Sequence, residues 1–388
     1  MAGLYLHIPF CKRKCHYCNF YSLASAKYKP ELVQALLKEI ELQKNYFQNE
    51  KLESIYFGGG TPSLLNEQEL QLLFEKINST FAIDKKAEIT FEANPNDLNK
   101  EYLKLLQKTP INRLSVGVQS FHDNELHYLN RLHTAEEAKS AIKRAQDFGF
   151  FALNLDLIYG IPIASKQSWQ SNLETFKALH IDHLSAYNLT REENTAYDIL
   201  IKKGKYAAPN DAQGEAHFKQ LLAFAKDNNL EQYEISNFAF DQKYAVHNTN
   251  YWRRKKYLGI GPSAHSFNLL SRSWNKAQLK PYMDAINQNQ LPNESEYLSK
   301  TDEWNEILMT GLRTKWGVDI AYLKQNFDGD WIEIFQRQTQ KYIDNGQLFI
   351  NHSVYQLSEK GLFFADGIAA DFFRINETAS KQQKIGSV

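Results

Sequence analysis

An excess of charge of either sign is missing from this chain. Among 388 residues, Lys and Arg total 45 and Asp and Glu also total 45, so the formal net charge is zero and the pI is about 7.2. The basic excess that usually marks a nucleic-acid binder is therefore absent overall. Long hydrophobic runs are missing too. The nearest approach, residues 148–164, is broken by Asn154 and Asp156, whereas a bilayer span needs about 18 or more consecutive apolar residues. The opening MAGLYLHIPFC has no basic stretch ahead of an apolar one and no cleavage-site pattern. A cytoplasmic location is therefore expected. Cysteine is scarce and crowded: Cys11, Cys15 and Cys18 are the only three. An odd, clustered set cannot build a disulfide framework and suits a reducing compartment. At 43% hydrophobic and 13% aromatic residues, the chain is still apolar enough to fold. Its length suits one large domain and a smaller one.

Short β-rich runs alternate with helical patterns. Strands are expected at 4–8, 54–57, 88–92, 113–118, 152–158 and 183–188. Between them, Leu32, Val33, Leu36, Leu37 and Ile40 share one helical face, as do Ala138, Ala141, Ile142, Ala145 and Phe148. Six strand–helix units argue for a parallel α/β sheet, either open and doubly wound or a partial (β/α)6 barrel. Residues 1–205 form this unit. Residues 206–300 look irregular and turn-rich. Residues 301–388 change again, with helices at 302–313 and 331–345, a hairpin at 348–350 and 354–357, and a helix from Ser358. That order suggests a small winged-helix-like lobe. Its 9 Lys and Arg against 12 Asp and Glu favour a structural lobe over a nucleic-acid binder. The tail from Asn376 is polar and expected to fray.

The cysteines form a C-x3-C-x2-C loop directly after the first strand. Three thiolates would leave one iron of a four-iron cluster without a protein ligand, open to a small molecule. Zinc would want a fourth ligand, which His16 or His7 could supply. Lys12, Arg13 and Lys14 would offset the charge of thiolates. Other polar groups gather at expected strand ends, where barrel proteins place their chemistry. Phe57 is followed by Gly58, Gly59, Gly60, Thr61 and Pro62, a loop that lets backbone approach a ligand. Glu92 ends the third strand and Gln119 the fourth, and Asp156 lies late in the fifth. A carboxylate in an apolar strand is costly unless paired. Arg131 could pair with Asp156 or with a ligand carboxylate.

A C-x3-C-x2-C loop after a first strand, in a chain of strand–helix units, resembles the signature of radical SAM proteins. YLHIPFCKRKCHYCNF is similar to their oxygen-independent coproporphyrinogen III oxidase branch, and the matches run from Tyr5 to at least Asp156. The resemblance implies a [4Fe-4S] cluster whose fourth iron is chelated by S-adenosylmethionine (SAM). It implies cleavage of SAM to methionine and a 5′-deoxyadenosyl radical. Tyr5, Tyr17 and Glu92 would then meet the cluster-bound SAM, and Gly59, Gly60 and Thr61 its methionine end. Gln119, Arg131 and Asp156 would lie at a neighbouring position, which in the oxidase holds a second SAM.

Two departures point away from the oxidase. It has a fourth cysteine where this chain has Phe20, and a long extension before the first strand, whereas Tyr5 stands near the start here. A third feature, His247-Asn248-Thr249-Asn250-Tyr251-Trp252, matches the HNxxYW motif of HemW-type haem chaperones. His247 could ligate haem iron, Tyr251 and Trp252 could face a porphyrin, and Arg253, Arg254, Lys255 and Lys256 could meet its propionates. The expectation is a haem chaperone that passes haem to an acceptor protein, as a monomer or dimer, with reductive SAM cleavage left open. Neither nucleic acid nor a membrane span is expected, and peripheral membrane contact is left open. A radical porphyrin-modifying enzyme and a zinc-stabilised barrel are the rivals.

Overall fold

The computed structural model describes residues 1–375, so the tail from Asn376 lies outside the described residues. The chain begins β1 (Ala2–Ile8), α1 (Lys29–Leu42), β2 (Leu52–Gly59), α2 (Glu67–Thr80), β3 (Ile83–Ala93), α3 (Lys100–Leu106) and β4 (Arg113–Gln119). It continues α4 (Asp123–Tyr128), α5 (Ala135–Asp147), β5 (Leu153–Tyr159), α6 (Lys166–Ala178), β6 (His183–Asn188) and α7 (Ala196–Lys202). The strands β1 to β6 lie in sequence order, each parallel to the next, as the alternation of patterns predicts. Helices end where local chemistry tells them to. Asn66 with Glu69 and Thr134 with Glu137 form capping boxes at the starts of α2 and α5.

The six strands alternate cleanly between two faces. Leu4, Leu6, Ile8, Ile55, Phe57, Phe91, Leu114, Val116, Leu155 and Leu184 are buried in one core with the helices. A fully buried Phe such as Phe57 or Phe91 contributes about 2–3 kcal/mol. The other face is polar. Register sets Tyr5, Tyr56, Thr90 and Arg113 side by side, then Glu92, Ser115, Asn154 and His183 in the layer above. This is the lining of a partial (β/α)6-type barrel.

Residues 206–300 are more regular than the sequence suggested. They hold α8 (Asp211–Asp227), β7 (Glu231–Glu234), β8 (Asn237–Ala239), α9 (Val246–Trp252), β9 (Tyr257–Ile260), β10 (His265–Phe267), β11 (Ser271–Asn275), α10 (Leu279–Asn287) and β12 (Asn293–Tyr297). The strands extend both edges of the barrel sheet, in the order β12-β11-β10-β9-β1-β2-β3-β4-β5-β6-β8-β7. Helix α8 escaped notice because Gly214 sits in its first turns. That glycine is there because a Cβ would lie 3.0 Å from Asn188 Oδ1.

The C-terminal lobe has the expected helices and hairpin, adds β13 and α12 between the first two helices and divides the last helix in two: α11 (Lys300–Leu312), β13 (Val318–Asp319), α12 (Ile320–Asn326), α13 (Gly329–Asp344), β14 (Leu348–Asn351), β15 (Val354–Leu357), α14 (Glu359–Leu362) and α15 (Ala365–Ala370). A three-stranded sheet, β13-β15-β14, packs with the helices around Trp304, Leu308, Phe335 and Phe372. Among the described residues no helix is long and apolar enough to cross a membrane.

One buried carboxylate ties the added strands to the barrel. Glu39 of α1 accepts hydrogen bonds from the Gly261 N–H (2.8 Å), from Asn275 Nδ2 (2.7 Å) and from the Tyr282 hydroxyl. Burial nonetheless pushes its pKa up, from 4.5 to about 7. The folded state therefore binds a proton that the unfolded chain releases near pH 4.5, and stability falls as pH rises from there to 7. Denaturant melts across this window should show the wild type losing roughly 3 kcal/mol relative to Glu39→Gln at most. A constant difference between the two would contradict the assignment.

Candidate functional site

The C-terminal ends of β1–β6 surround a cavity of about 450 Å³. Cys11, Cys15 and Cys18 line it, and so do Tyr17, Gly59, Gly60, Thr61, Glu92, Gln119, Arg131 and Asp156. Eleven of the thirteen sequence-predicted residues thus share one space. Tyr5 and His247 do not.

The cysteine loop is held from several sides. The Cys11 N–H donates to the Leu23 carbonyl (2.9 Å), Lys12 pairs with Asp97, and Arg131 Nη1 donates to Cys15 Sγ (3.1 Å). Burial pushes the Cys11 and Cys18 thiols up, so neither is a free thiolate unless a cation takes the charge. The donor set suits iron–sulfur chemistry: three soft sulfurs on one wall, the rest of the cavity open before them. Of the two histidines that could complete a zinc site, His7 has both ring nitrogens already bonded. His16 Nδ1 bonds the Tyr128 carbonyl (3.1 Å), while His7 bonds the Tyr5 hydroxyl and the Tyr21 carbonyl (3.0 Å each). Phe20, standing where the oxidase has its fourth cysteine, is 66% exposed at the cavity mouth.

The glycine loop is tight for stated reasons. Gly59 has φ +105°, and a Cβ there would meet the His7 ring at 2.5 Å. At Gly60 a Cβ would lie 2.7 Å from the Phe10 carbonyl oxygen and 2.8 Å from that of Ile8. Opposite, Glu92 accepts from the Tyr56 hydroxyl (2.7 Å) and the Gly59 N–H (3.1 Å). Burial first, and then the nearby Asp156, pushes Glu92 up to about 7. Asp156 accepts from Asn154 Nδ2 (2.7 Å) and is pushed up by burial to about 6. A cation entering the cavity would return both carboxyls to the ionised form. Gln119 ends β4 with φ +72°, a left-handed conformation unusual outside glycine, beside a bulge in the β4–β5 pairing.

Two expectations need correction. Arg131 makes no ion pair with Asp156: Nη1 goes to Cys15, Nη2 to Asn94 Oδ1 and the Gly117 carbonyl (2.5 Å each), and the buried Nε has no partner. Tyr5 lies one layer below the cavity because its register partner is Tyr56, on whose ring it stacks at 6.0 Å. Asn94 and Asp97 were missed, although both follow Glu92 closely in EANPND. Asn94 bridges Arg131 to Thr61 (3.2 Å), and Asp97 receives Lys12 and Ser63.

His247 is buried at the opposite end of the barrel. Its Nδ1 lies 2.8 Å from Ser54 Oγ and its Nε2 2.9 Å from the Tyr251 hydroxyl, so neither nitrogen is free for iron. Burial, helped by Arg113, lowers its pKa to about 3, and the ring is neutral. The basic run is also engaged. Arg253 stacks on Trp316, Arg254 bonds Glu306 (3.2 Å), Lys255 bonds Glu53 (2.6 Å) and Lys256 pairs with Glu50. Replacing His247 with Ala would strand Ser54 and Tyr251 and open a cavity. A loss of about 2–4 kcal/mol is expected in denaturant melts, and a neutral effect would contradict this packing.

Similarities to known proteins follow the same division. Residues 5–176 match the Radical SAM superfamily and residues 298–364 the HemN C-terminal domain. The fold is similar to that of coproporphyrinogen III oxidase (HemN) from Escherichia coli, with a TM-score of 0.83, 23% identity, and coverage of 96% of this chain and 89% of that one. In sequence, the chain is 38% identical to the heme chaperone HemW of Escherichia coli K12, over 68% of this chain and 69% of that protein. It is 30% identical to that of Bacillus subtilis, over 96% and 99%, and 30% identical to that of Lactococcus lactis, over 95% and 96%. Identity sustained along nearly the full length of both chains means that this protein belongs to the HemW family of the radical SAM superfamily.

Proposed function

We propose that this protein binds haem and hands it to an acceptor protein, in a reducing, cytoplasmic setting. The observation that carries the reading is the full-length similarity to proteins named heme chaperones, in a chain that also has HNTNYW at 247–252. In this reading Cys11, Cys15 and Cys18 hold a [4Fe-4S] cluster, whose chemistry when bound is one-electron reduction at an iron left open for SAM. Tyr17, Gly59, Gly60, Thr61 and Glu92 cradle SAM, while Arg131 neutralises charge at Cys15. Gln119 and Asp156 complete the polar wall of the same cavity. On this reading His247 of that motif would be the group that meets haem, which would require it to give up its bonds to Ser54 and Tyr251.

The cavity assignment is open to a direct check. Gly60→Val places side-chain atoms against the Phe10 and Ile8 carbonyls. It should weaken SAM binding tenfold or more, about 1.4 kcal/mol, and, because Phe10 adjoins Cys11, it should lower the cysteine-bound iron and sulfide content as well. Unchanged affinity in equilibrium dialysis would show that the loop does not contact SAM.

Haem titration tests the function itself. Purified protein should give a shifted Soret band that saturates at one haem per chain, with no carbon dioxide released from coproporphyrinogen in the presence of SAM and reductant. The opposite pair of results, no stoichiometric haem and SAM-dependent decarboxylation, would make it an oxidase.

A further inference from the structure

Two of the three thiols are served by donors from different loops, and one side chain holds both donors. Arg131, past α4, donates from Nη1 to Cys15 Sγ at 3.1 Å. Thr61, at the end of the glycine loop, serves Cys11: burial raises that thiol, and hydrogen bonding from the Thr61 and Ser22 hydroxyls opposes the rise. Asn94, two residues beyond Glu92, touches both. Its Oδ1 accepts from Arg131 Nη2 (2.5 Å), and its Nδ2 donates to Thr61 Oγ1 (3.2 Å).

The chemistry of these two partners leaves the Asn94 amide one orientation. A guanidinium has only donors, so it must face the amide oxygen, and the NH2 group then meets the hydroxyl. A hydroxyl has a single proton, and accepting from Asn94 leaves that proton free for a sulfur. The guanidinium is fixed as well. Its Nη2 also donates to the Gly117 carbonyl (2.5 Å), so the fork cannot turn away from Cys15 without breaking two other bonds. Asp97, from the same stretch after β3, has a different task. It holds the cysteine loop through Lys12 and the segment after the glycine loop through the Ser63 hydroxyl (2.7 Å).

We propose that Asn94 is a positioning residue for the iron–sulfur centre: by holding Arg131 on Cys15 and Thr61 on Cys11, it sets the reduction potential of a cluster bound there. The inference rests on the cluster reading above and adds to it the residue that aims the sulfur donors. Hydrogen bonds to the sulfurs favour the reduced form, which carries one more negative charge, its electron coming from an external low-potential donor.

Potentiometric titration of the reconstituted full chain without SAM, followed by electron paramagnetic resonance, tests it. Asn94→Ala should lower the midpoint potential by about 59 mV, a tenfold change in the one-electron equilibrium, at wild-type iron and sulfide content. A residue that only braced the loops would lower cluster retention or the melting temperature and leave the potential where it was. Asp97→Asn, which loosens the same two loops, is the comparison: an equal fall there would make the effect one of general loosening and overturn the proposal. Should Asn94→Ala hold no cluster, Thr61→Val carries the test, because it removes one donor and leaves Arg131 on Asn94. It should show a smaller fall in the same direction. An unchanged potential in the variant that holds a cluster overturns the role of Asn94 and leaves the cluster reading standing. A wild type that binds no iron and sulfide overturns both.

Discussion

The polar inner face of six parallel strands is the constraint on which the remaining structure depends. Parallel sheets are usually buried on both faces and read as continuous hydrophobic runs. Here only the outer face, with Leu4, Phe57, Leu114 and Leu155, packs against helices. The inner face carries Tyr5, Ser54, Tyr56, Glu88, Glu92, Arg113, Asn154 and His183. Some pair within the strands, as Tyr56 does with Glu92 and Asn154 with Ser115, and others need partners from outside them. Much of the segment after β6 exists to supply them. Tyr233 of β7 meets His183 Nε2 (2.8 Å), Asn237 of β8 meets Ser185 (2.7 Å), and α9 takes Glu88 and Ser54.

This arrangement divides the barrel into two ends with opposite character. At the cysteine end the polar groups are left short of partners: Arg131 Nε has none, and Glu92 and Asp156 sit unpaired enough for burial to raise both. Such groups are stabilised by a ligand that brings charge and hydrogen bonds. At the other end α9 fills the opening itself. The two ends are in physical contact through few residues. Glu92 bonds Tyr56, and the Tyr56 ring stacks on His247 at 5.1 Å. A second line runs from Asp156 through Asn154, His183 and Tyr233 to Asn248. The first two residues of the HNxxYW motif are thus the ones that reach the lining of the cavity.

Local signals carried much of this architecture. The six strands were readable because β-branched and aliphatic runs alternate with amphipathic helices, and α1 and α5 because their apolar residues recur on one helical face. The cysteine loop, the glycine loop and the positions of Glu92 and Gln119 at strand ends were likewise visible, as was Asp156 within the fifth strand, since each depends on spacing within a short stretch and on the rule that strand ends share one mouth. The extra strands at 231–297 were not, because runs of three to five residues owe their form to the edges they join rather than to their own propensity.

The sequence by itself therefore determined the class of fold, the cysteine centre and the loop beside it, because these follow from periodicity and from residues close together in the chain. The tertiary structure alone decided where Tyr5, Arg131 and His247 lie and what they bond in the folded barrel. Tyr5 is withdrawn by its register with Tyr56, and Arg131 is claimed by Cys15, 116 residues away. The partners that seal His247 come from Ser54 and Glu88, separated from it by 193 and 159 residues. A histidine beside aromatics and arginines reads the same whether its nitrogens are free or bonded. Only the folding of distant strands around it settles which.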